Sequence, residues 1–191
     1  MNRIIVLGNG ESRQNLDIEQ ISSGSLVIGC NAIVRDYAVD HLVCVDHRMV
    51  KEALLSDNCP DRVYTRVDWL SRFKDHRVTS VPSLPVTGPH RWNDPFHWGS
   101  GPYAVLLAAM LGADVIEMYG FDLFSSTNTV NNIYKGTSNY VSETHRPVDP
   151  SYWIKQIGDV FCWFPKIKFM IHNNKDWTIP QEWLEGNVTF C

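Results

Sequence analysis

The chain has 191 residues, 44% hydrophobic and 20% charged, a length and balance that suit one globular α/β domain with a sizeable core. A formal net charge of -4 argues against a nucleic-acid partner, because affinity for a phosphate backbone comes from clustered lysine and arginine. No apolar run approaches the roughly 18–20 residues that cross a bilayer, and the N-terminus enters a strand directly instead of a signal peptide, so the expectation is a cytoplasmic protein.

The first stretch, Ile4-Ile5-Val6-Leu7-Gly8-Asn9-Gly10-Glu11-Ser12, is a β-favouring run that ends in a Gly-x-Gly turn before a helix-like pattern. Such a turn delivers a ligand to a helix N-terminus, where unpaired N–H groups and the helix dipole favour an anion such as phosphate. Leu16, Ile18 and Ile21 can form one face of a short helix that stops near Ser22-Ser23-Gly24. Ser25 to Cys30 and His41 to Val45 are two further short apolar runs, typical of strands covered on both faces. They end at Asn31 and Asp46, and a helical stretch runs from Met49 to Leu55. In open parallel sheets ligands collect beyond the carboxyl ends of the strands, so Asn9, Asn31 and Asp46 are expected along one edge.

Arg62 to Val67 and Val78 to Val81 read as two more strands, followed by a long loop punctuated by Pro82, Pro85, Gly88, Pro89 and Pro95. Gly99-Ser100-Gly101-Pro102 opens a helix whose residues Tyr103 to Leu111 are apolar all round, with Ser100 as its start and Gly112 as its stop. Asp114 to Tyr119 is a central strand that ends at Gly120-Phe121-Asp122. Residues 124–147 are rich in Ser, Thr, Asn and Gly without periodicity, the pattern of a lid-like or disordered segment. Asp149-Pro150 starts a helix with Trp153, Ile157, Val160, Phe161 and Phe164 as its buried stripe. Lys166 to Ile171 reads as the final strand, and a polar tail with Trp177 and Trp183 follows.

Candidate chemistry sits at the strand ends. Gly8-Asn9-Gly10 is a weak signal for a dinucleotide, because Arg13 occupies the place of a third glycine and Asn31 stands where an acidic residue would hold a ribose. A mononucleotide fits better, since an Asn amide both donates and accepts. Ser100 and Gly101 offer a hydroxyl and bare N–H groups at a helix start, with an ordinary N-cap as the plain alternative. Asp122 contacts a ligand or bonds its own turn. His145, just before Arg146 and Pro147, is the residue type that takes a proton near neutral pH, although a lone histidine is more often a surface residue. Five cysteines without Cys-x-x-Cys spacing read as reduced thiols, and Asn187-Val188-Thr189 matches a glycosylation sequon that matters only in a secreted protein.

Taken together, the Ile4–Ser12 block, Cys30-Asn31, Ser100-Gly101 with its apolar helix, and Leu111 to Asp122 resemble the bacterial lipooligosaccharide sialyltransferases of glycosyltransferase family 42. His145 falls where that family has a histidine-containing segment, and Lys166-Ile167-Lys168 resembles its last strand. The resemblance implies a single Rossmann-like domain whose mostly parallel central sheet is flanked by helices. It implies a CMP-activated, sialic-acid-like donor, no required metal, and a glycan or small-molecule acceptor. By carry-over, Asn9, Gly10, Ser12, Asn31, Ser100, Gly101 and Asp122 hold the nucleotide, and His145 is the general base. Phe124 stands where the family uses a lid tyrosine on the donor phosphate, which leaves that task to Tyr134 or Tyr140.

A second resemblance is to archaeal 6-hydroxymethyl-7,8-dihydropterin diphosphokinases, through the Gly-x-Gly start, Asp46, and the Leu-Gly-Ala and Gly-x-Asp-Leu pattern between Leu111 and Leu123. It implies Mg²⁺ and ATP held with the help of Asp46 and Asp122. A third reading is a nucleotide-binding or structural protein without catalysis. A homo-oligomer is compatible with all three.

Overall fold

The computed structural model describes residues 1–174 and 176–191. Among these, eight strands form one sheet: β1 (Arg3–Leu7), β2 (Leu26–Cys30), β3 (His41–Val43), β4 (Val63–Thr65), β5 (Val78–Ser80), β6 (Val115–Tyr119), β7 (Lys168–His172) and β8 (Val188–Phe190). Their order is β5-β4-β3-β2-β1-β6-β7-β8, and every neighbouring pair is parallel. The expected α/β class is thus found, with a sheet that is parallel throughout the described residues.

Among the described residues four α-helices cover the sheet: α1 (Ile18–Ser22), α2 (His47–Leu54), α3 (Ser100–Met110) and α4 (Ser151–Trp163). Successive strand residues point to opposite faces. Ile5, Leu7, Val27 and Leu42 therefore pack with α1 and α2, and Ile4, Val6, Ile28, Ile116 and Met118 with α3 and α4. Burial on both faces explains why these strands read as unbroken apolar runs. In α3 every residue from Pro102 to Ala109 is buried, as a helix apolar on all sides requires. Full burial of a side chain such as Leu106 contributes about 1.5–3 kcal/mol.

From β1 the chain builds outward to β5, then returns through the proline-rich loop and α3 to lay β6 on the other flank of β1. The connections leave β1 and β6 in opposite directions, which opens a crevice beyond their carboxyl ends. Two turns meet at its floor: Gly8 N–H donates to the Tyr119 carbonyl at 2.8 Å, and Gly10 N–H to the Gly120 carbonyl at 2.9 Å. A Cβ on Gly8 would overlap the Gly120 carbonyl oxygen, and one on Gly10 would overlap the Asp122 carboxyl group. Gly120 itself has a φ of 71°, a conformation that glycine adopts without strain.

The C-terminal part departs from expectation. The seventh strand begins at Lys168, not Lys166, and the supposed tail adds β8 to the sheet. Trp183 is fully buried edge-on to Phe161, with its indole N–H donating to the Ile154 carbonyl at 2.9 Å. The Asn187 amide donates to the carbonyls of Phe161, Phe164 and Ile167 at 3.1, 3.3 and 3.2 Å, so the sequon asparagine closes the end of α4. Along α4, Ile157, Val160 and Phe161 are buried as expected, while Trp153 and Phe164 are only half-buried.

Two substitutions test this packing by urea denaturation. Trp183→Ala is expected to cost about 3–5 kcal/mol, and a loss below about 1 kcal/mol would place the C-terminal residues outside the core. Gly10→Ala is expected to cost about 1–3 kcal/mol by displacing the Asp122 carboxyl, and wild-type stability would contradict the close approach of the two turns.

Candidate functional site

The crevice holds a cavity of about 370 Å³ at the ends of β1, β2, β3 and β6, closed by the start of α3 and by part of segment 124–147. Asn9, Gly10, Asn31, Asp46, Ser100, Gly101 and Asp122 line it, together with Tyr140. Ser12, Tyr134 and His145 lie outside the lining.

Asn9 is engaged on all sides. Its amide nitrogen donates to the Cys30 carbonyl at 3.1 Å and to the Tyr140 hydroxyl at 3.3 Å, and its Oδ1 accepts from Arg13 Nη2 at 3.1 Å. Arg13 is buried, donates Nε to the Gly8 carbonyl at 2.5 Å, and reaches the Tyr134 hydroxyl at 3.2 Å. Tyr134 in turn donates to Asp36 Oδ2 at 2.6 Å. The residue in the place of the third glycine is therefore the brace of the first turn. Its signal was that an arginine stood where a small residue was expected.

The first turn does not present the open helix N-terminus that its Gly-x-Gly pattern predicts. Only a three-residue 3-10 turn, Glu11–Arg13, follows it. Most of its donors are taken: Glu11 N–H by Asn131 Oδ1 at 2.8 Å and Ser12 N–H by Asp122 Oδ2 at 2.9 Å, besides those of Gly8 and Gly10, while Asn9 N–H has no partner among the described residues. The Ser12 hydroxyl also donates to Asp122, so Ser12 and Asp122 bind each other.

Free donors sit instead at α3. Gly99, not Ser100, is the N-cap, and no side chain caps this helix. The Ser100 hydroxyl accepts from Val45 N–H at 3.1 Å and donates to Asn31 Oδ1 at 2.8 Å. That arrangement orients the Asn31 amide, whose nitrogen has no hydrogen-bond partner among the described residues. Asn31 adopts a φ of 51°, a left-handed conformation that asparagine tolerates well. Ser100 and Gly101 N–H likewise have no partner among the described residues, as expected in the first turn of a helix. Trp153 walls this corner: a Cβ on Gly99 would approach its Nε1 to 3.0 Å.

Segment 124–147 contains turns but no helix or strand. Its central part is pinned to the body. Ile133 N–H donates to the Asn9 carbonyl at 2.9 Å, Arg35 bonds Thr137 and Ser138 at 2.6 and 2.8 Å, Asn139 bonds Glu52 at 2.7 Å, and Lys135 pairs with Glu11 at 2.5 Å. Tyr134 is buried, with its hydroxyl on Asp36 and Arg13, and Tyr140 bonds Asn9. Burial pushes the Tyr134 phenol up to about 12 and raises that of Tyr140. A second hollow of about 230 Å³ shares Leu123, Tyr140 and Trp153 with the main cavity and is also lined by Val130, Pro147 and Val148. His145 is exposed beside it: its carbonyl accepts from Val130 N–H at 2.8 Å, and Nδ1 lies 2.8 Å from the Arg146 carbonyl.

Among the described residues no Lys, Arg or His lines the main cavity, and its charged lining side chains are Asp46 and Asp122. Asp46 caps α2 by accepting from Arg48 N–H at 2.8 Å. The Arg48 guanidinium holds its carboxyl below the usual range. Cys30, also in the lining, is pushed up to about 12 by burial, so its thiol is inert. Among the described residues no group of three His, Cys, Asp or Glu side chains is placed to hold a metal ion. Both carboxylates that the diphosphokinase reading assigns to Mg²⁺ already accept hydrogen bonds from protein donors. No helix among the described residues is long and apolar enough to cross a membrane.

No family model matches the chain, and no curated protein matches it. Solved structures do. Over its whole length the chain is similar to 83% of the monofunctional α-2,3-sialyltransferase Cst-I from Campylobacter jejuni, at 15% identity and a TM-score of 0.61. It is similar to the sialyltransferase CstII from Campylobacter jejuni in complex with the substrate analogue cytidine-5′-monophosphate, at 16% identity and a TM-score of 0.53, over 90% of this chain and 79% of that one. A third match, CstII with a trisaccharide acceptor and CMP, gives 16% identity and a TM-score of 0.50 over 89% and 80% of the two chains. The diphosphokinase resemblance finds no support among these matches. At such identities the likeness establishes architecture, and the chain shares the fold of the sialyltransferases Cst-I and CstII.

Proposed function

We propose that the protein is a metal-independent glycosyltransferase that takes a sugar from a CMP-activated donor and passes it to an acceptor hydroxyl. The observation that carries this reading is the corner formed by Asn31, Ser100 and Gly101. There an oriented amide with two free N–H donors stands beside two free backbone N–H groups at the start of an 11-residue helix. A helix N-terminus carries roughly half a positive charge and suits one phosphate. Among the described residues no cationic side chain lines the cavity, and the single free helix N-terminus suits a nucleoside monophosphate better than a diphosphate or triphosphate. The Asn31 amide serves the nucleoside, and the ring of Trp153 flanks it.

Asn9, Gly10, Ser12 and Asp122 act in this reading as the floor that fixes the site, through the bonds between the two turns. Tyr140 holds the pinned segment on Asn9, and Tyr134 anchors it from behind. The acceptor enters through the smaller hollow. Its hydroxyl oxygen attacks the anomeric carbon as the bond from that carbon to the phosphate oxygen breaks. CMP leaves with the electron pair, and a direct displacement inverts the anomeric centre. His145 takes the hydroxyl proton. The Arg146 carbonyl can only accept, so Nδ1 carries the proton in that contact and Nε2 keeps the lone pair that a general base needs.

In a thermal-shift panel without added metal, CMP at about 100 times its dissociation constant is expected to stabilise the fold by about 2.7 kcal/mol. Stabilisation by ATP with Mg²⁺ alone would contradict the reading. Asn31→Asp keeps an acceptor for Ser100 and tolerates the left-handed backbone, but removes the amide donors. It is expected to weaken CMP binding by about tenfold or more, and unchanged affinity would remove Asn31 from the site. His145→Ala is expected to lower transfer by roughly 10²–10⁴-fold with CMP affinity intact, and unchanged turnover would exclude it as the base.

A further inference from the structure

A separate cavity of about 400 Å³ lies on the same edge of the sheet as the main one, at the carboxyl ends of β4 and β5. Consecutive residues of α3 divide the two: Ser100, Gly101 and Pro102 line the main cavity, and Tyr103 lines the separate one. Val67, Val81, Leu84 and Phe96 form much of its wall. Its polar groups include the Arg66–Asp68 ion pair and the hydroxyls of Ser80, Ser83 and Thr87. Mostly apolar walls with a few placed polar groups are those of a small-molecule site.

The proline-rich loop that supplies one wall is pinned to α3 and α4. The Tyr103 hydroxyl donates to the Pro95 carbonyl at 3.2 Å, and buried Gln156 donates to the carbonyls of Trp92 and His97 at 3.3 and 3.0 Å. Asn93 donates to Asp159 at 3.1 Å. The pinned loop carries a row of rings. Tyr152, next in sequence to Trp153, meets the His97 ring edge-on at 6.4 Å, and His97 meets Phe96 edge-on at 5.4 Å. Phe96 is 56% exposed, with the Arg66 guanidinium over its ring at 3.9 Å. The row leads from Trp153, in the wall of the smaller hollow, to the cavity at β4 and β5.

The lining selects among ligand chemistries. A hydrocarbon would strip water from the Arg66–Asp68 pair and from three hydroxyls without replacing it. A phosphate or carboxylate would meet the Asp68 carboxylate, whose charge already answers that of Arg66. A sugar ring matches both parts of the wall. Its C–H face packs on Phe96 and the aliphatic side chains, while its hydroxyls donate to the carboxylate and accept from the guanidinium. Arg66 spends Nε and Nη2 on Asp68 and Nη1 on the Phe96 carbonyl, which leaves two of its five N–H groups for a ligand among the described residues. We infer that this cavity is a subsite for a neutral sugar unit, and that the acceptor is an oligosaccharide laid along Tyr152, His97 and Phe96 with its reacting end at Trp153. The sugar assignment rests on the cavity itself, and the acceptor role rests on the glycosyltransferase reading above.

Saturation-transfer NMR on the full chain, without nucleotide, tests this with a panel of neutral gluco-, galacto- and manno-configured saccharides from mono- to tetrasaccharide, and with octanoate as an apolar anion. At least one configuration is expected to bind, its tetrasaccharide on the order of tenfold tighter than its monosaccharide because the second contact is intramolecular. Phe96→Ala is expected to weaken that binding about fivefold or more, and Asp68→Ala about tenfold. Both side chains are exposed, so neither change threatens the fold. Tyr152→Ala is expected to erase the gain with length and to leave monosaccharide affinity unchanged. Binding of octanoate but of no saccharide, or saccharide affinity untouched by Phe96→Ala and Asp68→Ala, would overturn the subsite. Equal affinity for mono- and tetrasaccharide would overturn the track. Failure of CMP to bind in a parallel titration would remove the acceptor role and leave the sugar subsite to its own result.

Discussion

The contact on which the rest depends is the meeting of two backbone turns, Gly8-Asn9-Gly10 after β1 and Gly120-Phe121-Asp122 after β6. Parallel strands that leave in opposite directions would normally open a gap at their ends. Here two backbone hydrogen bonds and the Asp122 carboxylate, bonded to Ser12, close its floor. That closure has a chemical consequence. It uses the N–H groups of Gly8, Gly10 and Ser12, so most of the capacity to hold an anion passes to the uncapped start of α3, where Ser100 spends its hydroxyl on Val45 and Asn31 instead of on its own helix.

Behind the floor, Arg13 joins three pieces of chain into one unit. It holds Gly8 and Asn9 of the first turn and meets the Tyr134 hydroxyl, which binds Asp36 beyond β2. Asn9 in turn ties Cys30 to Tyr140. A buried arginine is costly unless its donors are matched, and here carbonyl, amide and phenol oxygens match them. The central part of segment 124–147 is therefore an extension of the cavity wall, with Asn131, Asn132 and Asn139 among its lining residues. The residues around His145 lie outside that unit, at the exposed side of the smaller hollow.

Much of this was legible in the chain because burial on both faces writes a strong signal. The strands β1, β2 and β6 each hold at least four buried residues among five, and the all-apolar α3 could only be internal. The convergence of Asn9, Asn31, Asp46 and Ser100 on one rim followed from their places at strand ends and a helix start. What escaped depended on contacts between distant residues. β8 is three residues long and owes its place to β7 and to Asn187, so no local periodicity marks it. Ser100 has the composition of an N-cap, yet a long-range bond to Asn31 outcompetes the local one. Tyr134 and Tyr140 were candidates for a phosphate because both are lid tyrosines. Burial and Asp36 commit the first to the body, and Asn9 commits the second to the wall.

The most direct measurement is a crystal structure of the protein with CMP. The phosphate oxygens are expected within hydrogen-bond distance of the Ser100 and Gly101 N–H groups, with the Asn31 amide nitrogen bonded to the nucleoside. A phosphate seated on the Gly8–Ser12 turn, or CMP bound away from the start of α3, would contradict it.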